Sequence, residues 1–443
     1  MKIGLIAMSG IRACDPELLR LGLTLPGFVE RSKVIASLPS LGLLTLAALT
    51  PKRHQIGYLE VPDVGDAEVV PGRFELVGIS TYSAQAEEAY ALADRYRAAG
   101  IPVVMGGPHV SVLPAEALGH CSSVVVGHGE LHWPKVVADA EAGRLESVYG
   151  SLEDDYDFRD APTPAFELLA ISRYNRLTIQ TSRGCSHKCE FCAGSIVFCK
   201  RYRQKPAAKV LAEIDRICAL WPHPFIELAD DNSFVSRSYW RDLLPEIARR
   251  NIRWFTETDI SIGEDDELLD LLERSGCVEL LIGLESPVRQ GLEGMEPGVN
   301  WKLSKFDRYR DSLHNIQKHG IRVNACFILG LDGQTPQIFD MVRDFVREAD
   351  LFDVQITIQT PFPGTPLFAR LEREGRLLQK GAWGRCTLFD VNFLPAAMSV
   401  EQLQQGFRNL GVDLYSSQWT HARRKRFVRS LRTRRNAERS TAS

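Results

Sequence analysis

The stretch Thr181-Ser182-Arg183-Gly184-Cys185-Ser186-His187-Lys188-Cys189-Glu190-Phe191-Cys192 decides the fold. Three thiols fall within eight residues of a polar, charged loop, and an aromatic residue precedes the last. The apolar run just before it, 176–181, reads as a β-strand, which places the thiols on a strand-to-helix connection. Thiolates are the usual ligands of iron–sulfur clusters, and three of them on a four-iron cluster leave one iron open. The rival is a structural zinc site, which wants four ligands. Cys199 or His187 could supply the fourth, although neither has knuckle spacing. Buried structural cysteines do not explain a loop that is otherwise charged.

Downstream, strands are predicted near 176–181, 224–229, 252–257, 278–284, 322–328 and 353–358. Helices are predicted near 207–220, 239–250, 265–275, 302–319 and 335–349. Six βα units predict a barrel or partial barrel over 176–360, with its chemistry at the C-terminal strand ends. Polar groups gather at those ends: Asp230 and Asp231, Glu257, Glu285 and Ser286, then Leu329-Gly330-Leu331-Asp332. Any one of them is as well explained as a helix cap or loop salt bridge. A smaller α-rich extension follows over 361–420, where Ser399 and Gln402 have the spacing of a capping box opening a helix to about Gln418. The end, 421–443, is basic, and its ordinary reading is a solvated helix end.

Upstream, residues 1–142 alternate nearly all-apolar strands (2–7, 56–60, 76–80, 102–105, 123–126) with helices (41–49, 84–99, 113–119, 130–141). Strands buried on both faces belong to a doubly wound parallel sheet, whose ligands bind at the carboxyl ends. Residues 143–175, with Gly150, Pro162 and Pro164, read as a linker.

The 443 residues suit two domains, and 44% hydrophobic with 25% charged residues is a soluble composition. A net charge of −3 calls for no nucleic acid. No run is long enough to span a bilayer. Ten cysteines, mostly single and in apolar segments, predict a cytosolic chain with a metal site and no disulfide framework.

The Cys-x3-Cys-x2-Cys loop with Phe191, after the first strand of a six-unit barrel, resembles the radical S-adenosylmethionine (SAM) superfamily. Leu38-Pro39-Ser40-Leu41-Gly42, Gly78-Ile79-Ser80-Thr81-Tyr82-Ser83, Gly106-Gly107-Pro108-His109 and Gly127-His128-Gly129-Glu130 resemble the cobalamin-binding domain found ahead of such barrels. The resemblance implies a 4Fe-4S cluster held by Cys185, Cys189 and Cys192. It implies SAM against Phe191, Asp230, Asp231, Glu257, Glu285, Ser286, Leu329 and Gly330. It implies cobalamin against Pro39, Gly42, Ser80, Thr81, Tyr82, Ser83, Gly106, Gly107, Pro108, His109, Gly127, Gly129 and Glu130. The Asp-x-His-x-x-Gly motif of many cobalamin domains is absent, which leaves the lower axial position of cobalt open.

The fold so implied is α/β: a Rossmann-like cobalamin-binding domain, a partial (β/α)6 TIM-type barrel and an α-rich extension. The activity implied is methyl transfer to a poorly activated carbon of a small molecule, with a reducing partner such as flavodoxin or ferredoxin. Anaerobic oxidative cyclisation or ring rearrangement would use the same cofactors. A non-catalytic cobalamin or SAM sensor is the reading of another class. No residue can be named as general acid or base.

Overall fold

The computed structural model describes residues 1–21, 38–68, 70 and 72–441. Two six-stranded parallel sheets organise them. The first has the order β2-β1-β3-β4-β5-β6, built from β1 (Lys2–Met8), β2 (Gln55–Val61), β3 (Leu76–Ser80), β4 (Val103–Gly106), β5 (Ser123–Val125) and β6 (Val148–Tyr149). β1 is buried from Ile3 to Ala7 because it pairs on both sides, whereas β2 is an edge and only half-buried. The helices α1 (Pro16–Leu21), α2 (Leu41–Leu49), α3 (Ala86–Ala98), α4 (Pro108–Val112), α5 (Pro114–Ala117) and α6 (Gly129–Glu141) flank this sheet. Ser40 caps α2 through Leu43 N–H.

The second sheet runs β14-β13-β12-β11-β10-β7. Its strands are β7 (Leu177–Ile179), β10 (Phe225–Leu228), β11 (Arg253–Thr258), β12 (Cys277–Glu285), β13 (Arg322–Leu329) and β14 (Asp353–Ile358). β7 and β14 are its two edges, so the barrel is open, as a partial barrel is. A ribbon of β8 (Ser182–Arg183) and β9 (Arg203–Gln204) brackets the thiol loop. The strands alternate with α7 (Ala207–Leu220), α8 (Arg237–Ala248), α9 (Asp266–Arg274), α10 (Trp301–Lys305), α11 (Tyr309–Lys318) and α12 (Ile338–Glu348). Each of the longer ones packs a stripe on the sheet, as Leu268, Leu269 and Leu272 of α9 do. α13 (Pro366–Arg373), α14 (Val400–Leu414) and α15 (Ser417–Thr441) close the chain. Among the described residues no helix is long and apolar enough to cross a membrane.

Several element bounds differ from expectation. The helix expected over 113–119 is only the short α5, separated from α4 because Pro114 pushes Leu113 out of the helical region (φ −129°, ψ 53°). The helix over 302–319 breaks at Phe306–Arg308. The capping box is present, with Ser399 and Gln402 each satisfying the other's backbone, but its helix stops at Leu414. The basic end continues as α15; the side chains of Arg434, Arg435 and Arg439 lie outside the described residues. The 143–175 segment is also more than a connection: β6 extends the first sheet, and Phe158, Ala161, Pro162 and Pro164 wall an interior cavity.

Candidate functional site

The C-terminal ends of both sheets open on one cavity of about 710 Å³. Pro39, Gly42, Ser80, Tyr82, Gly106, Gly107, Pro108, Gly127, Gly129 and Glu130 line it from the first sheet. Gln180, Arg183, Gly194, Lys205, Glu227 and Asp231 line it from the barrel. At Gly107 (φ +96°) a Cβ would come within 2.9 Å of Ser80 Oγ, so glycine alone keeps this floor flat. A flat glycine floor facing an apolar wall fits a broad planar ligand such as a corrin. Tyr82 is 56% exposed and lines the cavity.

Three expected corrin contacts point elsewhere. His109 is fully buried on the far side of the turn, with Nδ1 3.0 Å from Ser83 Oγ and Nε2 3.0 Å from Tyr90 OH. Ser83 is thereby occupied, and Thr81 donates its hydroxyl to the Tyr82 carbonyl at 3.0 Å. Burial lowers the His109 pKa and keeps the ring neutral, as a core histidine should be.

The thiol loop leaves β7 through a turn that Asp230 fastens. Asp230 accepts from Thr181 N–H (2.7 Å), Ser182 N–H (2.9 Å), the Thr181 hydroxyl and Ser233 Oγ (3.0 Å). It is 3% exposed, and these four bonds engage both of its oxygens. Asp231, its neighbour, takes Gly184 N–H at 2.7 Å and still faces the cavity. Gly184 (φ +80°) passes so close to Cys199 O that a Cβ would sit 2.8 Å from it.

Cys185, Cys189 and Cys192 are all free thiols. Donors are aimed at two of the sulfurs: His187 N–H (3.4 Å) and Asn232 Nδ2 (3.7 Å) at Cys185, and Ser195 Oγ (3.3 Å) at Cys192. Burial pushes the Cys185 and Cys189 thiols up. Among the described residues no three His, Cys, Asp or Glu side chains converge tightly enough to share one ion. His187 braces the loop, 3.3 Å from both Asp259 and Glu296, with its ring 4.2 Å from that of Trp301. Glu190 adds an outer clasp to Arg370 of α13 at 2.6 and 3.0 Å.

The remaining strand ends divide. Glu257, near the C-terminal end of β11, keeps its side chain accessible and has no side-chain hydrogen-bond partner among the described residues. Enclosure, then repulsion from Glu227, Asp231, Asp230 and Glu285, pushes its pKa up to about 8. Glu285, at a left-handed position (φ +63°) beside a bulge, is ion-paired with the buried Lys302. Ser286 is wholly buried under Gln334 Nε2 (3.3 Å), Leu329 is wholly buried, and Gly330 N–H is committed to Gln334 Oε1 at 2.9 Å. Phe191 is half-buried against the barrel core. Of the expected SAM contacts, then, Ser286 and Leu329 lie behind the lumen, and Asp230, Glu285 and Gly330 are already paired.

Arg183, Lys205 and Glu227 also line the cavity, although none was expected there. Lys205 pairs with the buried Glu213 of α7 at 2.7 Å, and Glu227 with Arg176 at 2.5 Å. Arg183 lay inside the quoted motif, the one sequence signal that pointed to it.

The Radical SAM superfamily matches residues 179–346, the B12 binding domain residues 32–137, and a domain of unknown function, DUF4070, residues 365–443. The chain is 28% identical over 384 residues to bacteriochlorophyllide d C-12(1)-methyltransferase of Chlorobaculum tepidum, covering 85% of this chain and 82% of that one. It is 26% identical over 361 residues to hopanoid C-2 methylase of Rhodopseudomonas palustris, covering 78% and 66%. Its fold is similar to that of the radical S-adenosylmethionine methyltransferase TsrM of Kitasatospora setae with cobalamin and a [4Fe-4S] cluster bound. That comparison has a TM-score of 0.68 at 16% identity and covers 94% and 90%.

Proposed function

The chain belongs to the radical SAM superfamily and carries a B12-binding domain ahead of its barrel, and from that premise we propose that it methylates a poorly activated carbon of a small molecule. One observation carries the reading: a single cavity joins the glycine floor of the first sheet to the barrel mouth beside the thiol loop. Reactants held on both sides of one shared cavity meet without diffusing apart. Two of the most similar named relatives are also carbon methylases.

Cys185, Cys189 and Cys192 would hold the cluster, with SAM on its open iron, and the glycine floor would hold cobalamin. Bound together, these groups supply a radical that removes hydrogen from carbon and a methyl group that takes its place. The chain's own residues orient and seal. Phe158, Ala161, Pro162 and Pro164 keep water from the wall of the cavity. Burial and the neighbouring carboxylates push the Glu257 carboxyl up to about 8, which favours its protonated, hydrogen-bond-donating form. The electron comes from a reduced donor such as flavodoxin or ferredoxin.

The test is anaerobic purification with cobalamin supplied, measurement of iron, sulfide and cobalamin per chain, and then turnover with SAM, reductant and candidate substrates. Methylation yields S-adenosylhomocysteine together with 5′-deoxyadenosine. Ring closure yields 5′-deoxyadenosine without it. A chain that holds its cluster but takes up no cobalamin on titration overturns the proposal.

A further inference from the structure

We propose that Arg183 is a positioning residue that couples the corrin seat to the thiol loop, so that filling one cofactor site tightens binding at the other. The inference rests on the two-cofactor reading above. Arg183 Nη2 donates to Glu130 Oε1 at 2.5 Å, Nη1 lies 3.2 Å from His128 Nδ1, and Nε donates to Gln180 Oε1 at 2.8 Å. The guanidinium is stacked 4.6 Å from the Phe158 ring centroid and 5.6 Å from that of Tyr156. All three of its nitrogens are engaged, and two aromatic rings of the 143–175 segment pack against it.

The two ends of this contact belong to different sites. Glu130 is in the first turn of α6, and Gly127 to Glu130 line the cavity on the corrin side. Arg183 stands two residues before Cys185, and the intervening Gly184 is fixed by Asp231. A displacement of the Gly127–Glu130 loop is therefore carried to Cys185 through a planar fork with no slack. The Glu130 side chain is 8% exposed, so the pair is largely withdrawn from solvent screening. Each ligand holds one end of the same clamp, and coupling of this kind is reciprocal. Lysine cannot reproduce a contact that engages three nitrogens in one plane.

The experiment is equilibrium dialysis of SAM against the cluster-reconstituted full chain, with and without hydroxocobalamin, for wild type, Glu130→Gln and Arg183→Lys. In wild type, cobalamin is expected to lower the SAM Kd about fivefold or more. In both variants that ratio should fall close to one, while iron content persists. A wild-type ratio of one, or an unchanged ratio in both variants, overturns the coupling. Should neither variant take up cobalamin, Glu130→Gln must still shift the SAM Kd or the cluster's EPR g values in the cobalamin-free chain. No shift there overturns it equally. A wild-type chain that takes up no cobalamin refutes the functional reading instead, whereas independent binding of both ligands refutes only the coupling.

Discussion

Glu257, Asp230 and His109 show how position divides residues of similar promise. Asp230 accepts four hydrogen bonds; His109 is shared between Ser83 and Tyr90 in the core; Glu257 has no side-chain partner among the described residues. A carboxyl whose folded pKa lies near 8, against about 4.5 when unfolded, binds more protons in the folded chain over that window. Stability contributed by the neutral form is therefore present below the unfolded pKa and is lost as pH rises toward 8. Glu257→Gln should remove this loss. Relative to wild type, the variant is expected to gain melting temperature between pH 5 and pH 8.5. Parallel pH profiles of the two proteins would show that Glu257 is paired after all.

The thiol loop is held as an element, not by its cysteines alone. Asp230 and Asp231 fasten its entry, His187 its middle, and the Glu190–Arg370 clasp ties it to α13. Arg370 also reaches Asp332 at 2.7 Å, so the clasp belongs to a network and not to an isolated surface pair. Arg370→Ala should leave the barrel folded and loosen the loop. For a two-pronged contact worth about 1 kcal/mol, chelator-driven loss of cluster iron is expected to quicken roughly fivefold. An unchanged rate would mean that the inner braces suffice.

At the opposite end of the molecule, α15 closes the base of the barrel. Arg423, 2% exposed, donates to Leu414 O at 2.8 Å and lies 3.5 Å from Asp353, which is wholly buried at the start of β14. Arg424 completes the pairing at 2.6 Å. Arg423→Ala would leave a buried carboxylate half-compensated. The expected cost is about 3 kcal/mol, the lower end for breaking a buried pair because Arg424 remains. Urea unfolding of the barrel reads this directly, and a shift below about 0.5 kcal/mol would make α15 an appendage.

The strand–helix alternation of both halves, the cysteine loop and the glycine-rich strand ends were legible in the sequence because each rests on local chemistry. Nearly all-apolar strands must be buried on both faces, and three thiols in a charged loop need a metal. Side-chain direction was not legible. Thr81 and Tyr82 are adjacent, yet one turns into the wall and the other into the cavity; Asp230 and Asp231 divide in the same way. Adjacent residues in an extended turn point to opposite sides, and which side faces the ligand is fixed by what packs behind them. Arg183 is the clearest case. Its place beside Cys185 is a fact of sequence, but Glu130 stands 53 residues away, and only the docking of one sheet's ends against the other's brings the two to 2.5 Å.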